Sequence, residues 1–236
     1  MDTAARCRAL GLALGAGTGF ALTRTYLFDF APVVLALCLS IGVLAGEAVS
    51  RRPPGERRAA TLRTRRVRDY LPFRPIAVSL ALTSTLAALS WWFHTPDHPG
   101  HQVIYFGTAA PVTLMATWAT LATVAILTLL SVWLVVRSPQ SASQAGGVAA
   151  DEAWRRATVN HLADAYATLS ATIFTAATFW YADAQMDWRG GGSPIWGFAL
   201  SLLAGLGLAA VAHYAGSLVR PRHITAPDRA AAVEVL

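Results

Sequence analysis

The sequence predicts an all-α fold: a polytopic transmembrane helical bundle of about six spans in three hairpins. It reads as a single domain over 1–224 with a short tail at 225–236. Three observations predict it. Hydrophobic residues make up 55% of 236 positions and charged residues only 14%, with a mean hydropathy of +0.45. Ordinary soluble domains carry roughly 25% charged residues, which cover their surface. The apolar residues also fall in long blocks, close to the ~20 needed to cross a ~30 Å hydrocarbon core as helix. Finally, arginines crowd alternate connections while aromatic rings crowd the others.

The first span is expected at 9–27. Its cleanest apolar run ends at Leu22, and Arg24 lies near enough to the end to extend its guanidinium to the interface. Arg6 and Arg8 before an apolar run also fit a signal peptide, but no small-x-small cleavage site follows, so an uncleaved span is the expectation. The second span follows at 31–49. A basic cytoplasmic loop at 50–75 leads to the third at 76–93, and the fourth is at 109–136. A cytoplasmic loop at 137–161 precedes the fifth at 162–181, with 149–159 read as a helical extension of that span. Asp151 and Glu152 suit its first turn, where acids favour the positive helix end. The sixth span is expected at 195–219.

Orientation follows from charge. All 19 basic residues are arginine, and only Arg24 and Arg189 fall outside the N-terminus and the segments after spans two, four and six. The positive-inside rule then places both termini in the cytoplasm of a multi-pass protein. Aromatics such as Tyr26, Phe28, Trp91, Trp92, Tyr105, Trp180, Tyr181, Trp188 and Trp196 gather at the opposite boundaries, where amphipathic rings prefer the headgroup level. Basic charge here is topological and needs no nucleic acid. Cys7 and Cys38, before span one and inside span two, imply neither a disulfide framework nor a thiolate metal site.

Lipid supplies no hydrophobic drive between helices, so association needs small residues that let backbones approach. Gly11, Gly15 and Gly19 in span one and Gly197, Ser201 and Gly205 in span six keep four-residue spacing. The two faces are expected to pair with each other or to form a homodimer seam; the alternative is that Gly and Ala are simply abundant.

Four residues could carry chemistry at the inner leaflet: Glu47, His161, Asp164 and His213. They sit roughly 6–12 Å inside the cytoplasmic boundary at ~1.5 Å per residue. Ionisable groups within a membrane are costly and often mark ion or proton paths, so they form a candidate proton relay, polar intramembrane cluster or metal site. The plainer reading is that the acids reach interfacial arginines and His213 bonds a carbonyl. At the outer face, His94, Asp97, His98 and His101 offer nitrogen and oxygen donors suited to a divalent metal such as Zn²⁺ or Cu²⁺. Two prolines and a glycine keep that loop out of helix, so it also reads as a polar turn. In the basic loop, nine arginines between 51 and 74, Arg63, Arg65, Arg66 and Arg68 among them, surround Leu62, Val67, Tyr70 and Leu71 as in a short interfacial helix. Such a cluster attracts anionic lipid by roughly 1 kcal/mol per charge or docks an acidic partner, although topology alone also accounts for it.

No phosphate-cradling loop, nucleophile elbow or dinucleotide fingerprint is present, so no cofactor-binding residues are assigned. An ATP-driven role would need a partner ATPase subunit. Gly46-Glu47 closing span two, Arg65-Arg66-Val67-Arg68-Asp69-Tyr70-Leu71-Pro72 before span three and Asp151-Glu152-Ala153-Trp154-Arg155-Arg156 before span five resemble a group of uncharacterised actinobacterial six-span integral membrane proteins. The resemblance implies a bacterial cytoplasmic membrane and adds no activity. Three functions fit: a small transporter or the membrane subunit of a multi-component system, working as a homo-oligomer or beside partners; an intramembrane enzyme acting on a lipid or isoprenoid; or an anchor recruiting cytoplasmic partners.

Overall fold

The structure, a computed structural model, describes residues 3–22, 34, 38, 41–43, 45, 66–94, 110–137, 147–186 and 192–220. Among these residues there are five long helices and no strand. They are α1 (Thr3–Leu22), α2 (Phe73–His94), α3 (Ala110–Arg137), α4 (Gly147–Met186) and α5 (Pro194–Val219), with a 3-10 turn at Val67–Asp69 ahead of α2. The described residues of the second expected span, 34, 38, 41–43 and 45, are all helical.

The helix ends follow local chemistry. Pro75 lies in the first turn of α2, where its missing N–H leaves no gap in the ladder. In α5, Pro194 takes the first helical position behind Ser193, whose carbonyl accepts the Gly197 N–H at 3.0 Å. The helix of the first expected span, α1, begins at Thr3, so Arg6 and Arg8 lie inside the helix. A charge inside the helix is tolerated because Arg8 has bonding partners within the bundle. In the described part of the basic loop, the expected interfacial helix is only a 3-10 turn, and Tyr70 after it is buried.

Three helices are long and apolar enough to cross a membrane, over Phe73–Phe93, Thr117–Arg137 and Pro194–Val219. Leu80, Ile126, Leu130, Leu202 and Leu206 stand exposed along them. Water would penalise such a surface, whereas hydrocarbon accepts it. The helix at the centre differs. α4 has 40 residues, about 60 Å at 1.5 Å per residue, and packs on α2, α3 and α5. Ala163, Ala165, Ala167, Thr168, Ser170 and Ala171 are all buried. Encircled by other helices, α4 has little lipid to face, so it carries Thr, Ser and Ala where its neighbours carry Leu. Thr168, Thr172, Thr175 and Thr178 each return their hydroxyl proton to the carbonyl four residues back, at 2.7–2.8 Å. Their polarity is thereby satisfied inside the helix.

The bundle has two chemically distinct ends. At the arginine end, Val132, Val136, Val159, Leu162 and Leu218 form one apolar cluster. At the aromatic end, Leu86, Phe93, Phe174, Tyr181 and Leu200 form another, with Phe93 and Tyr181 stacked at 5.0 Å.

The nearest approach at Gly11 is to the second expected span. A Cβ there would lie 2.7 Å from the Gly42 Cα and 2.7 Å from the Cys38 carbonyl oxygen, so α1 lies backbone to backbone against the second span. Gly197 instead faces α4, where a Cβ would lie 3.2 Å from the Ala182 carbonyl oxygen, and Gly205 has nothing within 4 Å. Ser201 returns its hydroxyl to the Gly197 carbonyl. Even spacing selects a helix face but not the helix that covers it.

Candidate functional site

A buried polar site lies at the arginine end, built by α1, α4 and α5. His161 and Asp164 are three residues apart on α4, hence on one face, and are 4% and 8% exposed. Arg8 of α1 is 4% exposed. Its Nε donates to the Leu218 carbonyl oxygen at 3.0 Å. That oxygen is in the last turn of α5, where carbonyls lack helical partners and the helix dipole favours a cation. Arg8 Nη1 lies 3.3 Å from His161 Nδ1. Ser217 Oγ lies 2.8 Å from Asp164 Oδ2 and 2.7 Å from the Tyr214 carbonyl oxygen. It has one proton for two acceptors, and the bond to the carboxylate is the stronger type. A cation and an anion thus approach the same turn of α5 from two helices. That is the arrangement in which buried charge is tolerable, since unpaired charge in low dielectric is strongly penalised.

The expected inner cluster is therefore only partly assembled. His161 and Asp164 come together. His213 does not join them: it is exposed and meets the ring of Tyr214 edge-on at 4.9 Å. The buried face of α5 runs through Leu200, Ala204, Gly207, Tyr214 and Leu218, and one residue step along a helix turns a side chain by about 100° away from that face. Glu47 lies outside the described residues. Arg8 reads from sequence as a topological charge, and no local pattern singles out Ser217.

A second arginine behaves similarly. Arg155, counted from sequence among the arginines of the connection before span five, is fully buried. Its Nη1 donates to the carbonyl oxygens of Val135 at 2.5 Å and Val136 at 3.2 Å, closing the last turn of α3. Arg156 is exposed and pairs with Glu152 at 3.7 Å. The other carboxylate oxygen of Glu152 accepts the Tyr70 hydroxyl at 3.0 Å, tying the end of the basic loop to the extension of α4.

Of the expected lipid-contacting arginines, Arg66 and Arg68 are exposed, with Arg68 3.7 Å from Asp69; Arg63 and Arg65 lie outside the described residues. Of the expected outer metal ligands, His94 is the last residue of α2, and Asp97, His98 and His101 lie outside the described residues. Among the described residues no three His, Cys, Asp or Glu side chains come together as a metal site would require.

Fold and site together define an all-helical bundle with three helices able to cross a membrane and a charged site buried among α1, α4 and α5. No family model, curated protein or solved structure matches the chain.

Proposed function

We propose that the chain is a six-span protein of a bacterial cytoplasmic membrane with both termini in the cytoplasm. It acts as a small transporter, or as the membrane subunit of a multi-component system, with His161, Asp164 and Ser217 forming a proton relay beside the fixed charge of Arg8 near the inner face. One observation carries this reading. An arginine, a histidine and an aspartate are each more than nine-tenths buried in one place, inside a bundle whose outward surface is leucine-rich. Intramembrane charge is costly and is retained where ions or protons pass. In this reading α4 is a span although its composition is mixed, because it runs between the same two ends as the apolar helices. Anionic lipid gathers at the exposed arginines of the basic loop, and a second copy or a partner ATPase subunit completes the system.

Reconstitution into liposomes loaded with a pH-sensitive dye tests the relay. With an imposed potential and a panel of candidate solutes, the wild type is expected to move protons, and Asp164→Asn to lose at least about tenfold in rate, the equivalent of ~1.4 kcal/mol in a barrier. Undiminished flux in that variant overturns the reading.

A further inference from the structure

We infer that the seam between α2 and α4 binds a water molecule halfway along α2, shared by the hydroxyls of Ser170 and Thr83. The inference goes beyond the relay reading and stands without it.

Hydroxyls on these helices commonly satisfy themselves. Ser79, Thr168, Thr172, Thr175, Thr178 and Ser201 each donate to the carbonyl four residues back, at 2.7–2.9 Å. That bond is open to a serine or threonine at almost any helical position. Ser170 and Thr83 break the pattern. Both oxygens are buried and neither has a hydrogen-bond partner among the described residues. Ser170 as a whole is 2% exposed. A buried hydroxyl with no partner carries its full desolvation cost, so an oxygen that does not reach its own helix's carbonyl points to a partner in the seam.

The register of the two helices brings these oxygens to one level. α2 and α4 run in the same direction: Tyr70, just ahead of α2, clusters with Val159 and Leu162 of α4, and Phe93, near the far end of α2, stacks on Tyr181. The bond between Tyr181 and Ser90 at 3.3 Å marks the seam. Thr83 lies seven residues before Ser90, two turns down on nearly the same face of α2. Ser170 lies eleven before Tyr181, three turns down on nearly the same face of α4. Just above them, Leu86 of α2 and Ile173 and Phe174 of α4 share one apolar cluster. At ~1.5 Å per residue the two hydroxyls are offset by roughly 6 Å along the seam. That is too far for a direct bond and matches one water with two bonds of ~2.8 Å. Buried Ser79, one turn before Thr83, donates to the Pro75 carbonyl at 2.8 Å and keeps a lone pair as a third contact. Buried waters typically make about three bonds to polar groups left unsatisfied by the protein. Thr83 is the eleventh of the 22 residues of α2, and the adjoining residues Leu82, Leu86, Ile173 and Phe174 are apolar. They offer an ion no counter-charge, so the site suits a neutral group that both donates and accepts.

A double-mutant cycle tests the bridge. The full chain and its Ser170→Ala, Thr83→Val and doubly substituted variants are unfolded in mixed micelles with increasing SDS. Each single substitution is expected to lower the midpoint. The double variant is expected to lose less than the two losses summed, because removing either hydroxyl already breaks the bridge. A midpoint that is unchanged or raised by Ser170→Ala overturns the inference, since a bare buried hydroxyl is better removed. Losses that simply add overturn it too, because they describe two unconnected side chains. A second measurement reads the water itself. In a Cys7→Ala, Cys38→Ala background, Ser170→Cys is converted to the thiocyanate and its nitrile stretch recorded in phosphatidylcholine liposomes. Ala171→Cys, whose parent side chain is 0% exposed and turned about 100° away on the same helix, gives the dry reference. The nitrile at 170 is expected at the higher frequency of a hydrogen-bonded group, and a frequency equal to that at 171 overturns the inference. Neither readout depends on transport, so proton flux without coupling removes the bound water alone, and coupling without flux removes the relay alone.

Discussion

Arg155 Nη1 lies 2.5 Å from the Val135 carbonyl oxygen and 3.2 Å from that of Val136. A charge on the central helix thereby closes the end of its neighbour. The last carbonyls of a helix have no internal partner and carry the negative end of its dipole. Inside a bundle, where water does not supply the missing donors, a buried guanidinium does.

Removing that donor is expected to destabilise the bundle. Arg155→Met keeps much of the volume but leaves two carbonyls bare, a loss of about 2–6 kcal/mol at ~1–3 kcal/mol per unsatisfied group. Arg155→Lys is expected to recover part of it through one bond. Unfolding in mixed micelles with increasing SDS measures both, and equal stability of Met and Lys variants would show that the cap contributes nothing.

The contact of Gly11 with Gly42 predicts a steep dependence on side-chain size. A Cβ at Gly11 would lie 2.7 Å from the Gly42 Cα, in the way of backbone atoms that have no rotamer to change. Gly11→Val is expected to cost about 1–3 kcal/mol, the usual range for overpacking. Gly205→Ala enters open space and is expected to fall within ~0.5 kcal/mol of the parent, as surface substitutions do. Thermal unfolding in detergent compares the two. A cost at Gly205 equal to that at Gly11 would mean that the stripe in the sixth span is the tighter contact.

At the aromatic end, Tyr181 stacks on Phe93 at 5.0 Å and donates to Ser90 Oγ at 3.3 Å. Tyr181→Phe removes only the hydrogen bond, for a loss of about 0.5–1.5 kcal/mol. Tyr181→Ala also leaves a cavity and is expected to cost about 3–5 kcal/mol. The two variants unfolded side by side separate stacking from hydrogen bonding, and similar losses would assign the whole effect to the hydroxyl.

Tyr70 ties the basic loop to Glu152 at 3.0 Å. Tyr70→Phe is expected to loosen the stretch around the exposed Arg66 and Arg68, so that trypsin cuts there several-fold faster. Limited proteolysis of protein in liposomes measures the rate, and an unchanged rate would show that the loop end is held by packing alone.

The existence and approximate extent of the helices could be read from local composition, because about 20 consecutive apolar residues have few other stable outcomes. The clustering of arginine at one end of the bundle was equally legible, being a property of each connection taken alone. Half of the inner site was legible too. His161 and Asp164 share a helix face by spacing, whereas His213 required knowing which side of α5 is covered.

The remainder was set by contacts between residues far apart in the chain. Arg8 meets Leu218 across 210 positions and His161 across 153. No local pattern separates such an arginine from one that merely marks a membrane boundary. Arg155 and Arg156 are adjacent in sequence, yet one is buried and the other exposed. Which glycine meets which backbone, and which helix the others encircle, depend in the same way on shape matching between surfaces of nearly identical composition. Hydrophobicity suits the three apolar helices to a membrane alike. Close packing and the need to satisfy each buried charge then choose the neighbours.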